Sequence, residues 1–291
     1  MDLYSVAEII DAARRTGREF WEIVLDADIE ERQVTREESI SKMRGVWRAM
    51  LTSFEEYDPE RRSMSGLAGG DGAKMRSFCE NGSPLSGEYI QNVIAVALSV
   101  GESNACMRKI VAAPTAGACG VLPAVLVPLY RGGRASEDDI IHGLYTSAGI
   151  GAVISSRASI SGAYGGCQAE IGSASAMSAG ALVTVSGRGG EAVGHAAAMA
   201  LKNLLGLVCD PVAGLVEVPC VKRNVVGAVN AVSCADMALA GIESRIPVDE
   251  VIDCMGEVGL RIPHELRETA MGGLAATPTG KKVAETLKLE I

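Results

Sequence analysis

The chain has 291 residues, 48% of them hydrophobic, enough to bury a sizeable core as one large domain or two ordinary ones. Its 36 acidic and 27 basic side chains leave a formal charge of -9, which argues against nucleic acid and anionic lipid as partners and leaves a small metabolite as the default. The opening MDLYSVAEII has acids where a secretory signal has Lys or Arg, so the expectation is a cytoplasmic protein whose eight Cys are thiols or metal ligands rather than disulfides.

Residues 1–60 combine dense mixed charge with six of the eleven aromatic side chains: Tyr4, Phe20, Trp21, Trp47, Phe54 and Tyr57. Ile40, Met43, Trp47, Met50, Leu51 and Phe54 recur at three- and four-residue steps, which predicts an amphipathic helix within a solvent-facing helical layer. Residues 61–84, containing SMSGLAGGDGAKMRSF, read as a long loop in which glycine admits close backbone approach and Lys74 is placed to meet an anionic substrate. Ile90, Val93, Ile94, Ala97 and Leu98 give the next helical face.

The uncharged run Ile110–Tyr130 has the length of a membrane span, but Pro114, Pro123 and Pro128 interrupt it, so it reads as buried protein and not membrane. Within it APTAGACG predicts a turn opening a helix near Gly117–Gly120. Backbone N–H groups of Ala116 and Gly117 can hold a carboxylate there, with Thr115 adding a hydroxyl. Ser136-Glu137-Asp138-Asp139 ahead of Ile140 reads as a capped helix start. Between Leu144 and Val185 the only charges are Arg157 and Glu170, so this small-residue stretch is predicted to be wrapped by other helices on nearly all sides. Further helices are predicted over 190–206, 222–242 and 248–255, and strand alternation is scarce. The predicted fold class is mainly α: a single large helical domain over 1–291, with small-residue-rich buried helices, loop-borne ligands and a more polar N-terminal layer over 1–60.

Three cysteines sit in Gly/Pro-marked segments: Cys167 in GGCQAEIG, Cys209 in LVCDPVAG and Cys220 in VEVPCVKRN. The intervals, 42 residues from Cys167 to Cys209 and 11 on to Cys220, do not fit a two-plus-two zinc ribbon. Three thiolates around an iron–sulfur cluster with one iron open fit better. Cys79, Cys106, Cys119, Cys234 and Cys254 read as structural thiols. Glu170 follows Cys167 in a nearly charge-free stretch, where an unpaired carboxylate is expensive to bury; a functional role ranks just ahead of an ion pair with Arg157. Arg223 and Asn224, just past Cys220, are placed to clamp a substrate carboxylate. Of the three His, His142 and His195 read as ordinary helix residues, which leaves the base unassigned.

The strings APTAGACGVLPA, SISGAYGGCQAEIGSASAMSAGA and LGLVCDPVAGLVEVPCVKRN resemble the α subunit of iron–sulfur-dependent L-serine dehydratases, over about Ser63–Gly241. The resemblance implies that Cys167, Cys209 and Cys220 ligate a 4Fe-4S cluster, with an open iron as Lewis acid in converting L-serine to pyruvate and ammonia. Family members carry Ser-His-Thr and Gly-His-Gly type motifs in a separate β domain. Neither string occurs here, which implies a β subunit supplying the catalytic His. Glu170 and Lys74 are then this chain's catalytic candidates, and Thr115, Ala116, Gly117, Arg223 and Asn224 its substrate-binding candidates. Two alternatives stand beside this reading: an iron–sulfur L-cysteine desulfidase, and a non-catalytic protein holding structural zinc. A pyridoxal-phosphate enzyme is disfavoured, because no Schiff-base Lys segment leads into a phosphate-binding glycine loop.

Overall fold

The computed structural model describes residues 4–288; the first three residues of the N-terminal layer and the last three of the chain lie outside the described residues. The layer is built from α1 (Val6–Thr16), α2 (Phe20–Arg32) and α3 (Arg36–Glu55). Each helix starts where a side chain satisfies otherwise free N–H groups: the Ser5 hydroxyl accepts from Glu8, and Glu19/Glu22 and Thr35/Glu38 form reciprocal capping boxes. The apolar stripe of α3 buries Trp47, Met50 and Phe54 against the rest of the molecule.

Residues 61–84 are not one long loop. They contain α4 (Asp71–Asn81), whose cap comes from α5 (Glu88–Ala105). The Glu102 carboxylate, 1% exposed, accepts the N–H groups of Gly69, Asp71 and Gly72 at 3.2, 2.9 and 3.1 Å and the Tyr57 hydroxyl at 2.5 Å. A cap donated by a distant helix leaves no local signature, which is why the segment reads as loop.

Beyond it follow α6 (Val121–Arg131), α7 (Glu137–Arg157), the short α8 (Gly162–Gly165), α9 (Ser173–Val185), α10 (Glu191–Lys202), α11 (Cys220–Leu239), α12 (Val248–Arg261) and α13 (Pro278–Leu287). The charge-poor α9 is the axis of the fold. All residues from Ser173 to Val183 are buried, and α6, α7, α10 and α11 pack around it. Small residues permit this: a Cβ at Gly180 would lie 2.3 Å from Ile150 Cδ1 on α7. One apolar core runs from Val6 to Met255, and among the described residues there is no strand, only an isolated bridge between Cys209 and Arg267.

Three boundaries differ from the sequence reading. α12 continues past Met255 to Arg261, stopping before Pro263. α10 stops at Lys202 instead of 206. α11 starts at Cys220, so that cysteine opens a helix instead of lying in a loop. Among the described residues no helix is long and apolar enough to cross a membrane.

Candidate active site

Three chain segments meet where the cysteines lie. Cys167 stands between α8 and a single π-helical turn, Gln168–Gly172, that runs into α9. Such widened turns concentrate at functional sites, and this one carries Glu170. Gln168 fixes the turn: its Nε2 donates to the carbonyls of Gly165 and Met255, both at 3.0 Å, and its Oε1 accepts from Gly206 N–H at 2.8 Å. Gly166, at φ 77°, leads into Cys167 in the left-handed region that glycine tolerates, and a Cβ there would lie 2.6 Å from Ile262 Cδ1. Cys209 is held by backbone pairing with the segment after α12, donating to Leu266 O at 2.8 Å and accepting from Glu268 N–H at 2.6 Å.

The APTAGACG turn is tied to the start of α11 by Asn224. Its Oδ1 accepts from Gly120 N–H at 2.8 Å, and its Nδ2 donates to Gly117 O at 2.8 Å and Cys220 O at 2.9 Å. The N–H groups of Ala118, Cys119, Gly120 and Val121 are used within the turn or by Asn224, whereas those of Thr115, Ala116 and Gly117 make no hydrogen bond among the described residues. The Thr115 hydroxyl is buried and also without a hydrogen-bond partner of full geometry, although it lies against the Glu170 carboxyl. Buried polar atoms are rarely left unsatisfied, so the Thr115 hydroxyl marks a place for an acceptor from outside the chain, while the N–H groups of half-buried Thr115 and Gly117 and of exposed Ala116 are open to solvent or to a ligand.

All three thiols are buried and free. The Cys209 thiol donates to Cys167, which lowers the Cys167 pKa despite the opposing effect of burial, with the Arg223 charge helping; the same bond raises the Cys209 pKa. Burial and the neighbouring Cys167 charge push Cys220 up to about 12. Burial likewise raises the Glu170 carboxyl above the ordinary range, partly offset by Thr115. The space in front of Glu170 is kept open by glycine. A Cβ at Gly162 would lie 2.8 Å from Glu170 Oε2 and 3.0 Å from Cys209 Sγ, and one at Gly117 would lie 3.4 Å from Glu170 Oε2.

Other expected residues sit differently. The Arg223 fork is already engaged, donating to Val208 O at 2.7 Å and to Asp210 at 2.9 Å, and the charges of Cys167 and Asp210 raise its pKa against the effect of burial. It orders the Cys209 segment and faces Cys167 instead of presenting a free clamp. Glu170 does not pair with Arg157, which bonds Asp253 on α12 at 2.6 Å. Lys74 lies outside the gathering, 78% exposed and paired with Asp71 at 3.0 Å. His142 stacks on Trp21 with ring centroids 3.7 Å apart, His195 Nδ1 accepts from Ser244 N–H, and His264 is exposed; none is among the groups acting on the three thiols or Glu170.

Three acidic residues at the site were not singled out from sequence. Asp210, adjacent to Cys209, binds Arg223 and accepts Leu274 N–H at 2.8 Å, and its position in CDPV is a signal that could have found it. Glu217, three residues before Cys220 and 4% exposed, accepts from the hydroxyls of Ser63 and Ser65 and so ties the SMSG segment to this region. Glu268 lies far along the chain, and nothing in its local sequence marks it.

One tetrahedral metal ion would need its sulfurs only about 4 Å apart. Among the described residues no three His, Cys, Asp or Glu side chains converge in that way. Three buried thiols free of disulfides, delivered by three segments beside Gly117 and Gly162, suit a multi-iron group, whose thiolates attach to different metals. A separate cleft of about 590 Å³, lined by Arg14, Arg18, Arg188 and His195, shares no residue with this site.

Among the described residues the fold is all-helical, with the thiols of Cys167, Cys209 and Cys220 buried and free. Residues 15–275 match the family model of the serine dehydratase alpha chain, and the chain belongs to that family. It is 44% identical over 283 residues to the probable L-serine dehydratase, alpha chain, of Bacillus subtilis, covering 97% of this chain and 94% of that protein. It is 43% identical over 286 residues to the L-serine dehydratase, alpha chain, of Peptoniphilus asaccharolyticus, covering 97% of each. The L-serine dehydratase of Streptomyces coelicolor is 38% identical over 284 residues, covering 92% of this chain but 59% of that longer protein.

Proposed function

We propose that this chain is the cluster-bearing catalytic subunit of an L-serine dehydratase, with Cys167, Cys209 and Cys220 as the ligands of a 4Fe-4S cluster. What supports the reading is the nearness of these groups: the Cys209 thiol bonds Cys167, the charges of Cys167 and Glu170 act on Cys220, and Glu170 lies against Thr115. When bound, the cluster would supply a Lewis acid that eases departure of hydroxide. The chain's own groups do the rest. The Cys209 hydrogen bond and the Arg223 charge favour the thiolate at Cys167 that a metal requires. Thr115 and the N–H groups of Thr115, Ala116 and Gly117 orient the substrate carboxylate. Glu170, its pKa raised by burial, stands beside Thr115 to exchange a proton with the reacting end of the substrate. Loss of the α-proton and of hydroxide leaves 2-aminoacrylate, which tautomerises and takes up water to give pyruvate and ammonia.

The base for the α-proton comes, in this reading, from a β subunit that supplies a His and closes the pocket. Its support is the engagement of His142 and His195 elsewhere, and the pattern of relatives: proteins named alpha chain are matched nearly end to end, while the Streptomyces protein extends well beyond the match. A cytoplasmic location follows, because an iron lacking a thiolate needs a reducing compartment. The desulfidase alternative uses the same ligands, but the curated relatives are named for serine. The test is anaerobic purification with and without a co-expressed β chain, followed by iron and pyruvate assays. Brown protein making pyruvate from serine only with the partner is expected; colourless protein holding one zinc would overturn the reading.

A further inference from the structure

We infer that Val216 is a specificity-determining side chain: it meets the β-carbon of the substrate and limits the side chain that the site accepts to a hydroxymethyl group. The inference rests on the dehydratase reading and adds the wall that measures the substrate. Its first basis is the space at Gly117. A Cβ on Gly117 would stand 3.4 and 3.5 Å from the two Glu170 carboxyl oxygens and 3.6 Å from Val216 Cγ1, all ordinary contact distances. Gly117 is also outside the left-handed region. Neither space nor backbone conformation therefore requires glycine here, and the position of the missing methyl is a seat for one carbon from outside the chain. The seat is polar on the Glu170 side and apolar on the Val216 side. A hydroxymethyl group has the same two halves, its hydroxyl for Glu170 and its carbon for Val216. The open N–H of Gly117, adjacent to the seat, suits the carboxylate of the same molecule.

The second basis is the packing of Val216 itself. It is half-buried yet joins none of the apolar clusters among the described residues, whereas its neighbours Leu215 and Val218 pack against the small cluster of Val212, Ala213 and Ala284. Apolar surface left out of the core gains by contact with an apolar part of a ligand. The segment that carries it is fixed from both sides. Val212 N–H donates to Val218 O at 2.8 Å and Leu215 N–H to Val212 O at 3.1 Å. The buried Glu217 carboxylate accepts the Ser63 hydroxyl at 2.6 Å and the Ser65 hydroxyl beside it. Val216 therefore has no slack to retreat from a larger substrate, and a second carbon branching from the β-carbon runs into its methyl groups.

The test compares L-serine with L-threonine, which adds one methyl group at the β-carbon. Cluster-loaded enzyme with its β chain is assayed as wild type, Val216→Ala and Gly117→Ala. Wild type should prefer serine. For Val216→Ala the ratio of kcat/KM for threonine over serine should rise roughly 10- to 100-fold, the scale of one carbon in an apolar pocket, mainly through the threonine KM and with iron content unchanged. Gly117→Ala fills the seat from the other side, so iron content should hold while the serine KM rises at least about tenfold. Equal use of both substrates by wild type, an unchanged ratio in Val216→Ala, or an unchanged serine KM in Gly117→Ala overturns the assignment. If wild type turns over no serine, the dehydratase reading fails by itself. Calorimetric binding of L-2-aminobutyrate against L-valine, which have the shapes of serine and threonine without the hydroxyl, then decides whether Val216 measures the side chain. A preference for 2-aminobutyrate that is lost in Val216→Ala supports it, and no such change refutes it.

Discussion

Glu102 and Glu170 are enclosed carboxylates in two neighbouring parts of the molecule, and their surroundings are opposite. Around Glu102 every feature closes: three N–H groups and a tyrosine hydroxyl converge on it, and the result is a cap that fixes α4 to α5. Around Glu170 the features stay open: two glycines stand off from the carboxyl, Thr115 meets it without full hydrogen-bond geometry, and the N–H groups of Thr115, Ala116 and Gly117 have no partner among the described residues. A satisfied buried carboxylate is scaffold, and one left among unsatisfied donors marks where a ligand completes the structure.

The largest effect that would break this comparison is at the closed end. Glu102→Ala strands the buried N–H of Gly72 and the partly buried N–H groups of Gly69 and Asp71 and should lower stability by about 3 kcal/mol, because a buried unmet donor costs roughly 1–3 kcal/mol and a part-buried one less. Chemical denaturation measures it. A loss below about 1 kcal/mol would mean that the cap is dispensable. At the open end, Gly162→Ala puts a methyl between Glu170 and Cys209 and should reduce pyruvate formation about 100-fold, the cost of a small misplacement at a reacting centre. The melting temperature should stay within about 2 °C, under 1 kcal/mol for a chain of this size. Unchanged turnover would show that this space is not the substrate's.

Arg223→Lys sits between the two ends. It keeps the charge but loses the fork on Val208 and Asp210, so stability should fall by about 1–2 kcal/mol together with iron retention. A rise in serine KM with stability and iron intact would instead restore Arg223 as a substrate clamp. The smallest effect is expected at Lys74→Ala, whose exposed pairing with Asp71 predicts kinetics within about twofold of wild type, as for most surface ion pairs.

The helical class, the polar N-terminal layer and the enclosed α9 were legible in the sequence, because periodicity and absence of charge are local and report burial directly. The three cysteine segments stood out through their Gly/Pro contexts, and in the structure the Cys209 thiol bonds Cys167 while the charge of Cys167 acts on Cys220. Features created by distant partners were not legible. The cap on α4 comes from Glu102, some thirty residues away, the Arg223 fork is engaged by Asp210, and Glu268 comes next to Cys209 only because the segment after α12 pairs with it. The α13 helix carried its signals, Thr277 as cap and Pro278 at the first position, in a segment where no helix was predicted.

The central claim is that Cys167, Cys209 and Cys220 act as one ligand set, and iron content measures it most directly. Protein purified anaerobically should carry about four irons per chain as wild type, and fewer than about one when any of the three is changed to Ser, while Cys119→Ser and Cys234→Ser stay loaded. Full iron in all three single variants, or its loss in Cys119→Ser instead, would contradict the account.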